Sequence, residues 1–400
     1  MNKSKYLGNE LKYITKVLNS ESWSATEGSW TGRLEQEFAK KFDCKHGVAF
    51  NSGTSTMHAA LLALGVGPGD EVISPALTVI MNTSTTIHTG AIPVYVDIDP
   101  DTFNIDPEDL ERKITSKTKA IMTVAVYGLT PDMDKIILTA NKYKIPIIED
   151  NAECFLGYYK GRLAGTFGDI ASYSFENSKH LSCGEGGMIT TNNSAYATRC
   201  RKFGGHGFIN LTSDEGRVKL QKNIFQNPNF KRHNEIGWNY RLPEFNAAIA
   251  LAQLERIDNL VKLRQDSAKI FIDVITESNY FTPQFTPEDY TNSYWALGVK
   301  YYGDRLGVSW EDFREKYIEL GGDGIYGAWS VPYLEPVMQE RKFVKFYPEI
   351  YKDIMYKKGL CPVAEEVQKR LMVFKTNYRD LSVAKSKANI LQQTIKYFGL

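Results

Sequence analysis

"AIMTVAVYGLTPDMDKIILTANKYKIPIIED", residues 120–150, decides the fold. It opens with an apolar run (120–128), continues with apolar residues at helical spacing ("PDMDKIILTANKY", 131–143) and closes on a second apolar run (145–150). Strand, helix, strand in that order implies two parallel neighbours joined by a crossover. The near-continuous apolar character of each run suits strands covered on both faces. Similar runs flank it: "GVAF" (47–50), "DEVISP" (70–75), "IPVYVDI" (92–98), "IASYSF" (170–175) and "GMITT" (187–191). Together these seven strand candidates, alternating with helical or turn segments, predict an α/β fold with a seven-stranded, mostly parallel sheet and helices on both faces.

At 400 residues the chain is too long for one core of ordinary size, so two domains are expected. The texture changes after residue 255. "LERIDNLVKLRQDSAKIFIDVITES" (254–278) reads as a long amphipathic helix, followed by aromatic-rich segments ("NSYWALGVKYY", "YGAWSVPYL") and a terminal helix around 380–397. The expected division is a large domain over 1–255, with an N-terminal helix, and a smaller α+β domain over 256–400. A net charge of +1 with no block of Lys and Arg argues against nucleic acid or an anionic membrane as partner. No apolar run is long enough for a signal peptide or a membrane span. The five cysteines are scattered without CxxC spacing and read as reduced thiols, which places the chain in the cytoplasm.

The dinucleotide fingerprint is missing: "GVGPGD" (65–70) follows a helix, carries Pro68 and is a turn. Walker A, HExxH and GxSxG are absent and the six histidines are dispersed, so no metal site is expected. Four features remain at strand ends or connections, where open α/β sheets bind ligands. "NSGT" (51–54) precedes a helix, so Gly53 and Thr54 suit either a phosphate cup or an ordinary N-cap. Asp150 ends an apolar strand and is either a turn residue or a functional carboxylate. Ser174 and Lys179 lie on the connection between two strands, where a solvated lysine is the bland alternative. Finally, "NYR" (239–241) is expected to open the buried-looking helix of "GWNYRLPEFNAAIALAQLER" (237–256). A phosphate cup, a carboxylate for a pyridine nitrogen and an amine for a Schiff base together describe a pyridoxal 5'-phosphate (PLP) site.

With those motifs in view, the chain resembles the DegT/DnrJ/EryC1/StrS family of sugar aminotransferases, which have the fold type I aminotransferase fold. The resemblance covers nearly the whole chain and is densest in "NSGTSTMHAALLALGVGPGDEVISPALT", "IIEDNAECFLG", "GTFGDIASYSFENSKHLSCGEGGMITT" and "WNYRLPEFNAAIALAQLERID". It implies Lys179 as the Schiff-base residue and proton carrier, and Asp150 as partner of the pyridine nitrogen. It also implies Glu153 near the ring's phenolic edge, Gly53, Thr54 and Ser174 at the phosphate, and Asn239 reaching that phosphate from the other subunit of a homodimer. Two positions depart from the family pattern. Val79 stands where an aromatic residue commonly stacks on the ring, and Glu153 stands where glutamine is common. Relatives with His in place of the lysine dehydrate keto sugars; His180 is adjacent, but Lys179 keeps the five-residue spacing from Ser174. The other rival, a regulator or binding module on the same fold, is disfavoured by the intact Lys–Asp–Ser set. The implied substrates are an amino-acid donor, glutamate, and a keto sugar, nucleotide-linked in most relatives and an unlinked cyclic or phosphorylated ketone in others. "GIYGAWSVPYLEP" (324–336) is equally readable as acceptor pocket or as core.

Overall fold

In the computed structural model, which describes residues 6–20, 23–25, 28–214, 216 and 222–400, all seven apolar runs are strands of one sheet. Strands β1 (His46–Phe50), β2 (Glu71–Pro75), β3 (Ile92–Val96), β4 (Thr118–Val124) and β5 (Ile147–Asp150) are followed by two short ones, β6 (Tyr158–Tyr159) and β7 (Arg162–Leu163). Then come β8 (Ile170–Ser174) and β9 (Gly187–Thr191). The seven longer strands lie in the order β1-β9-β8-β5-β4-β2-β3. Pairs β2–β3, β2–β4, β4–β5 and β5–β8 are parallel, while β9 runs antiparallel to both β1 and β8.

Alternation along each strand explains why the runs are apolar throughout. Met122 and Ile148 pack on one face against Met57 and Leu61, whereas their neighbours Ile121 and Ile147 pack on the other against Met133 and Ile136. Both faces are therefore closed to water. Helices α1 (Glu10–Leu18) and α2 (Trp30–Lys41) precede the sheet; α3 (Gly53–Ala63) follows β1 and α4 (Ile80–His88) follows β2. This connectivity puts the N-termini of α3 and α4 at the edge where β4, β5 and β8 end. Because β9 runs back, the connection 175–186 stays at that edge too.

The C-terminal part has its own antiparallel sheet, with β10 (Phe281–Pro283), β12 (Ala296–Tyr301), β14 (Leu371–Lys375) and β13 (Tyr326–Gly327) adjacent in that order. The remaining strand, β11 (Tyr290–Thr291), pairs with β6. The long helix begins at Ile257, not Leu254, because Arg256 (φ −119°, ψ 12°) leaves the helical conformation. That helix spans two cores: Ile257 and Val261 pack in a cluster with Phe175 and Leu251, and Phe271 and Ile275 with the small sheet. The helix after "NYR" also starts later than expected, at Glu244. Pro243 keeps the preceding backbone extended, and residues 239 and 241 instead form bridges to Gly205 and Phe50. Among the described residues no helix is long and apolar enough to cross a membrane.

Candidate active site

The edge of the sheet just described carries a cleft of about 390 Å³. Its first wall is the start of α3. Ser52 caps this helix reciprocally with Ser55: the Ser52 hydroxyl accepts from Ser55 N (3.1 Å) and the Ser55 hydroxyl from Ser52 N (3.2 Å). Gly53 is required, since a Cβ there would sit 2.8 Å from Ser174 Cβ. The same close approach brings Ser174 to the positive end of α3, beside Thr54. This is a cradle for an anion.

Asp150 ends β5 with its carboxylate buried. Oδ2 accepts from Asn82 Nδ2 (3.1 Å) and Oδ1 from Ala152 N (3.1 Å). Burial pushes its pKa up; the Ala152 and Asn82 hydrogen bonds and the nearby Lys179 charge oppose that rise. Glu153 is also raised by burial and pulled back by Lys179, while its Oε2 accepts from Tyr127 N (3.0 Å). Tyr127 makes this bond from a left-handed conformation (φ 57°), which a bulky residue adopts only when its surroundings hold it there.

Lys179 is not a solvated surface lysine. It is 8% exposed, its Nζ lies 3.7 Å from Glu153 Oε1, and the ring of Trp295 lies under it with the centroid 4.2 Å away. His180 next to it points elsewhere: fully buried, it bonds the Ser293 carbonyl (2.9 Å) and packs on Phe155. Of the residues singled out in the sequence, Gly53, Thr54, Asp150, Glu153, Ser174 and Lys179 all line this one cleft. Val79 lines it as well, together with Met81, so an aliphatic surface occupies that side.

Asn239 is not brought into the cleft of its own chain; it is exposed and its backbone pairs with Gly205. Asn82, Tyr127 and Trp295 complete the site and were not singled out beforehand; Trp329, from the stretch 324–336, joins them. Tyr127 and Trp295 stack nearly parallel (7° between planes) and, with Trp329, separate the cleft from an outer cavity of about 480 Å³. The stretch 324–336 divides between its two alternatives: Tyr326, Ala328 and Trp329 line the cavities, while Val331 and Tyr333 are core.

An anion cradle, a buried carboxylate and a buried amine around one cavity fit PLP. The comparisons with known proteins agree: residues 6–310 match the model of an aminotransferase family. The chain belongs to the DegT/DnrJ/EryC1/StrS aminotransferase family. It is a PLP-dependent aminotransferase of fold type I. This aminotransferase is 36% identical over 292 residues to GDP-perosamine synthase of Escherichia coli O157:H7, covering 73% of the chain and 75% of the relative. It is 32% identical to the spore coat polysaccharide biosynthesis protein SpsC of Bacillus subtilis strain 168 over 367 residues, covering 91% and 88%. Among solved structures, an aminotransferase from Psychrobacter cryohalolentis superposes with a TM-score of 0.84 at 26% identity, covering 99% of this aminotransferase and 98% of that chain.

Proposed function

We propose that the enzyme transfers an amino group from an amino acid, glutamate being the expected donor, to the ketone of a nucleotide-linked sugar. The route it serves is surface-polysaccharide or secondary-metabolite sugar biosynthesis, and it works as a cytoplasmic homodimer with shared sites. The observation that carries this reading is the buried amine of Lys179, held with Asp150 and Glu153 in one cleft beneath Trp295. The GDP-perosamine synthase relative supports a nucleotide-linked acceptor. Dehydration is disfavoured because His180 is turned into the core.

PLP, when bound, supplies a carbonyl for the substrate amine and a ring that stores the electrons of a carbanion. The chain's residues do the rest. Lys179 Nζ would carry the proton to and from the substrate carbon bearing nitrogen. Asp150, aimed by Asn82, holds a proton at the pyridine nitrogen through charge-assisted bonding. Gly53, Thr54 and Ser174 would hold the phosphate, and Glu153 would serve the phenolic edge. Tyr127 and Trp295 exclude water from the amine's side.

The acceptor class is tested by charging the enzyme with the amino group of glutamate, removing excess donor and offering a panel of ketones. Absorbance of the lysine-linked cofactor should return at least about tenfold faster with nucleoside-diphosphate keto sugars than with unlinked ketones, since remote contacts contribute to the reacting centre. Equal rates would overturn the nucleotide assignment.

Sharing of sites has its own test. Asn239 lies outside its own cleft, and its neighbours Ile236 and Trp238 are exposed, which supports donation to a partner. Losing its hydrogen bond to a phosphate should weaken PLP binding by about 1.5–3 kcal/mol, or about 10- to 150-fold. At limiting PLP, Asn239→Ala should be poorly active and Lys179→Ala inactive. After subunit exchange between the two, about half the dimers are mixed and about a quarter of all sites are intact. Activity should then rise above either parent. No recovery after verified exchange would return Asn239 to its own subunit.

A further inference from the structure

Arg264 lies midway along the helix Ile257–Ile275 and is 3% exposed. Its Nη1 donates to the Trp295 carbonyl (2.6 Å) and the Thr376 hydroxyl (3.3 Å). Its Nη2 donates to the carbonyls of Ser178 (2.5 Å) and Lys179 (3.1 Å). All four partners are neutral. Burial, reinforced by repulsion from Arg379, pulls the guanidinium pKa down to about 9. For packing alone this is a poor choice, because a buried charge is destabilising where an uncharged side chain of similar volume is not. What only arginine supplies is a rigid planar fork that reaches two separate carbonyl groups at once.

The two groups it joins are informative. One is the main chain that carries Lys179. The other is the main chain of Trp295, whose ring lies under Lys179 Nζ and whose Nε1–H donates back to the Ser178 carbonyl (3.2 Å). Thr376 closes the arrangement by donating to the Trp295 carbonyl (2.8 Å). The lysine's backbone and the ring that faces its amine are thus pinned to one guanidinium.

We propose that Arg264 is a positioning residue for Lys179: by joining the carbonyls of Ser178 and Lys179 to that of Trp295, it fixes where Nζ can reach and keeps the indole against it. This rests on the reading of Lys179 as the Schiff-base residue. Arg264 lines the outer cavity and not the cofactor cleft, which it meets through Ser178, Lys179 and Trp295. An effect on PLP that passes through the lysine must vanish when Lys179 is removed.

That dependence is what the test reads. PLP affinity is measured by fluorescence titration of the cofactor-free protein in a double-mutant cycle of Arg264→Gln and Lys179→Ala. Arg264→Gln should weaken PLP binding roughly tenfold when Lys179 is present and less than about twofold when it is absent. The pH at which the lysine–PLP linkage titrates, followed by absorbance, should also shift in Arg264→Gln. Equal weakening in both backgrounds would make Arg264 mere scaffold and overturn the proposal, as would an unmoved titration. If Arg264→Gln does not fold, Arg264→Lys replaces it in the cycle with the same expectations, because a single ammonium cannot span both carbonyl groups. Failure of both variants to fold would assign Arg264 to the fold alone and also overturn the proposal. Peptide mapping after borohydride reduction separates the two layers. A label away from Lys179 removes the underlying reading, whereas a label on Lys179 with additive effects removes only the role of Arg264.

Discussion

Lys179→Ala is expected to lower kcat by about 10⁴-fold or more while the protein stays folded, because one amine both links the cofactor and carries the proton. That corresponds to about 5.5 kcal/mol of barrier. The fold should tolerate the change, since the side chain ends in a cavity, where its amine meets Glu153 and the Trp295 ring. Glu153 will respond: without the lysine's charge its carboxyl rises further above the usual carboxylate range, so it sits protonated to higher pH. Steady-state turnover beside a thermal melt of the cofactor-free proteins checks the prediction. The wild type should be yellow, and borohydride should fix PLP to the peptide containing Lys179. A variant with measurable wild-type-like turnover, or a label on another lysine, would remove Lys179 from the chemistry.

Asp150→Asn should retain bound PLP and lose about 10²–10³-fold in kcat, on the scale of other single electrostatic groups aimed at developing charge. The carboxylate has two donors to itself, Asn82 Nδ2 and Ala152 N, and burial raises its pKa. A protonated pyridine nitrogen beside it would push the other way and keep it ionised, which is what an amide cannot reproduce. Near wild-type kcat in this variant would return Asp150 to the status of a turn residue.

The strands were legible because the sheet is covered on both faces, so residues such as Ile121 and Met122 are apolar in succession even though they enter different cores. Asp150 stood out for a related reason, as a charged residue at the end of such a run, and Lys179 stood out on a short connection between two of them. Asn82, Tyr127 and Trp295 did not stand out. Asn82 acts by reaching from α4 to a carboxylate 68 positions away, and Trp295 reaches the amine from the residue just before β12. No local spacing records either approach. Tyr127 is a functional neighbour through its backbone, in a positive-φ conformation that its side chain gives no hint of. The start of the helix at Glu244 was misplaced because residues 239 and 241 take their backbone partners from Gly205 and Phe50, which are remote in sequence. Asn239 entered through family resemblance alone, and the role proposed for it depends on a second chain.

The segment 324–336 has a consequence for how such an enzyme changes over generations. Val331 and Tyr333 anchor it in the core, while Tyr326 and Trp329 stand exposed at the mouth of the cavities. Substitution at an exposed position typically alters stability by no more than about 0.5 kcal/mol. Were these two side chains to meet an incoming acceptor, they could be replaced without loosening the sheet. Selection for a new sugar would then meet little resistance from the fold, and the chemistry proposed for Lys179 could pass unchanged to descendants with different acceptors.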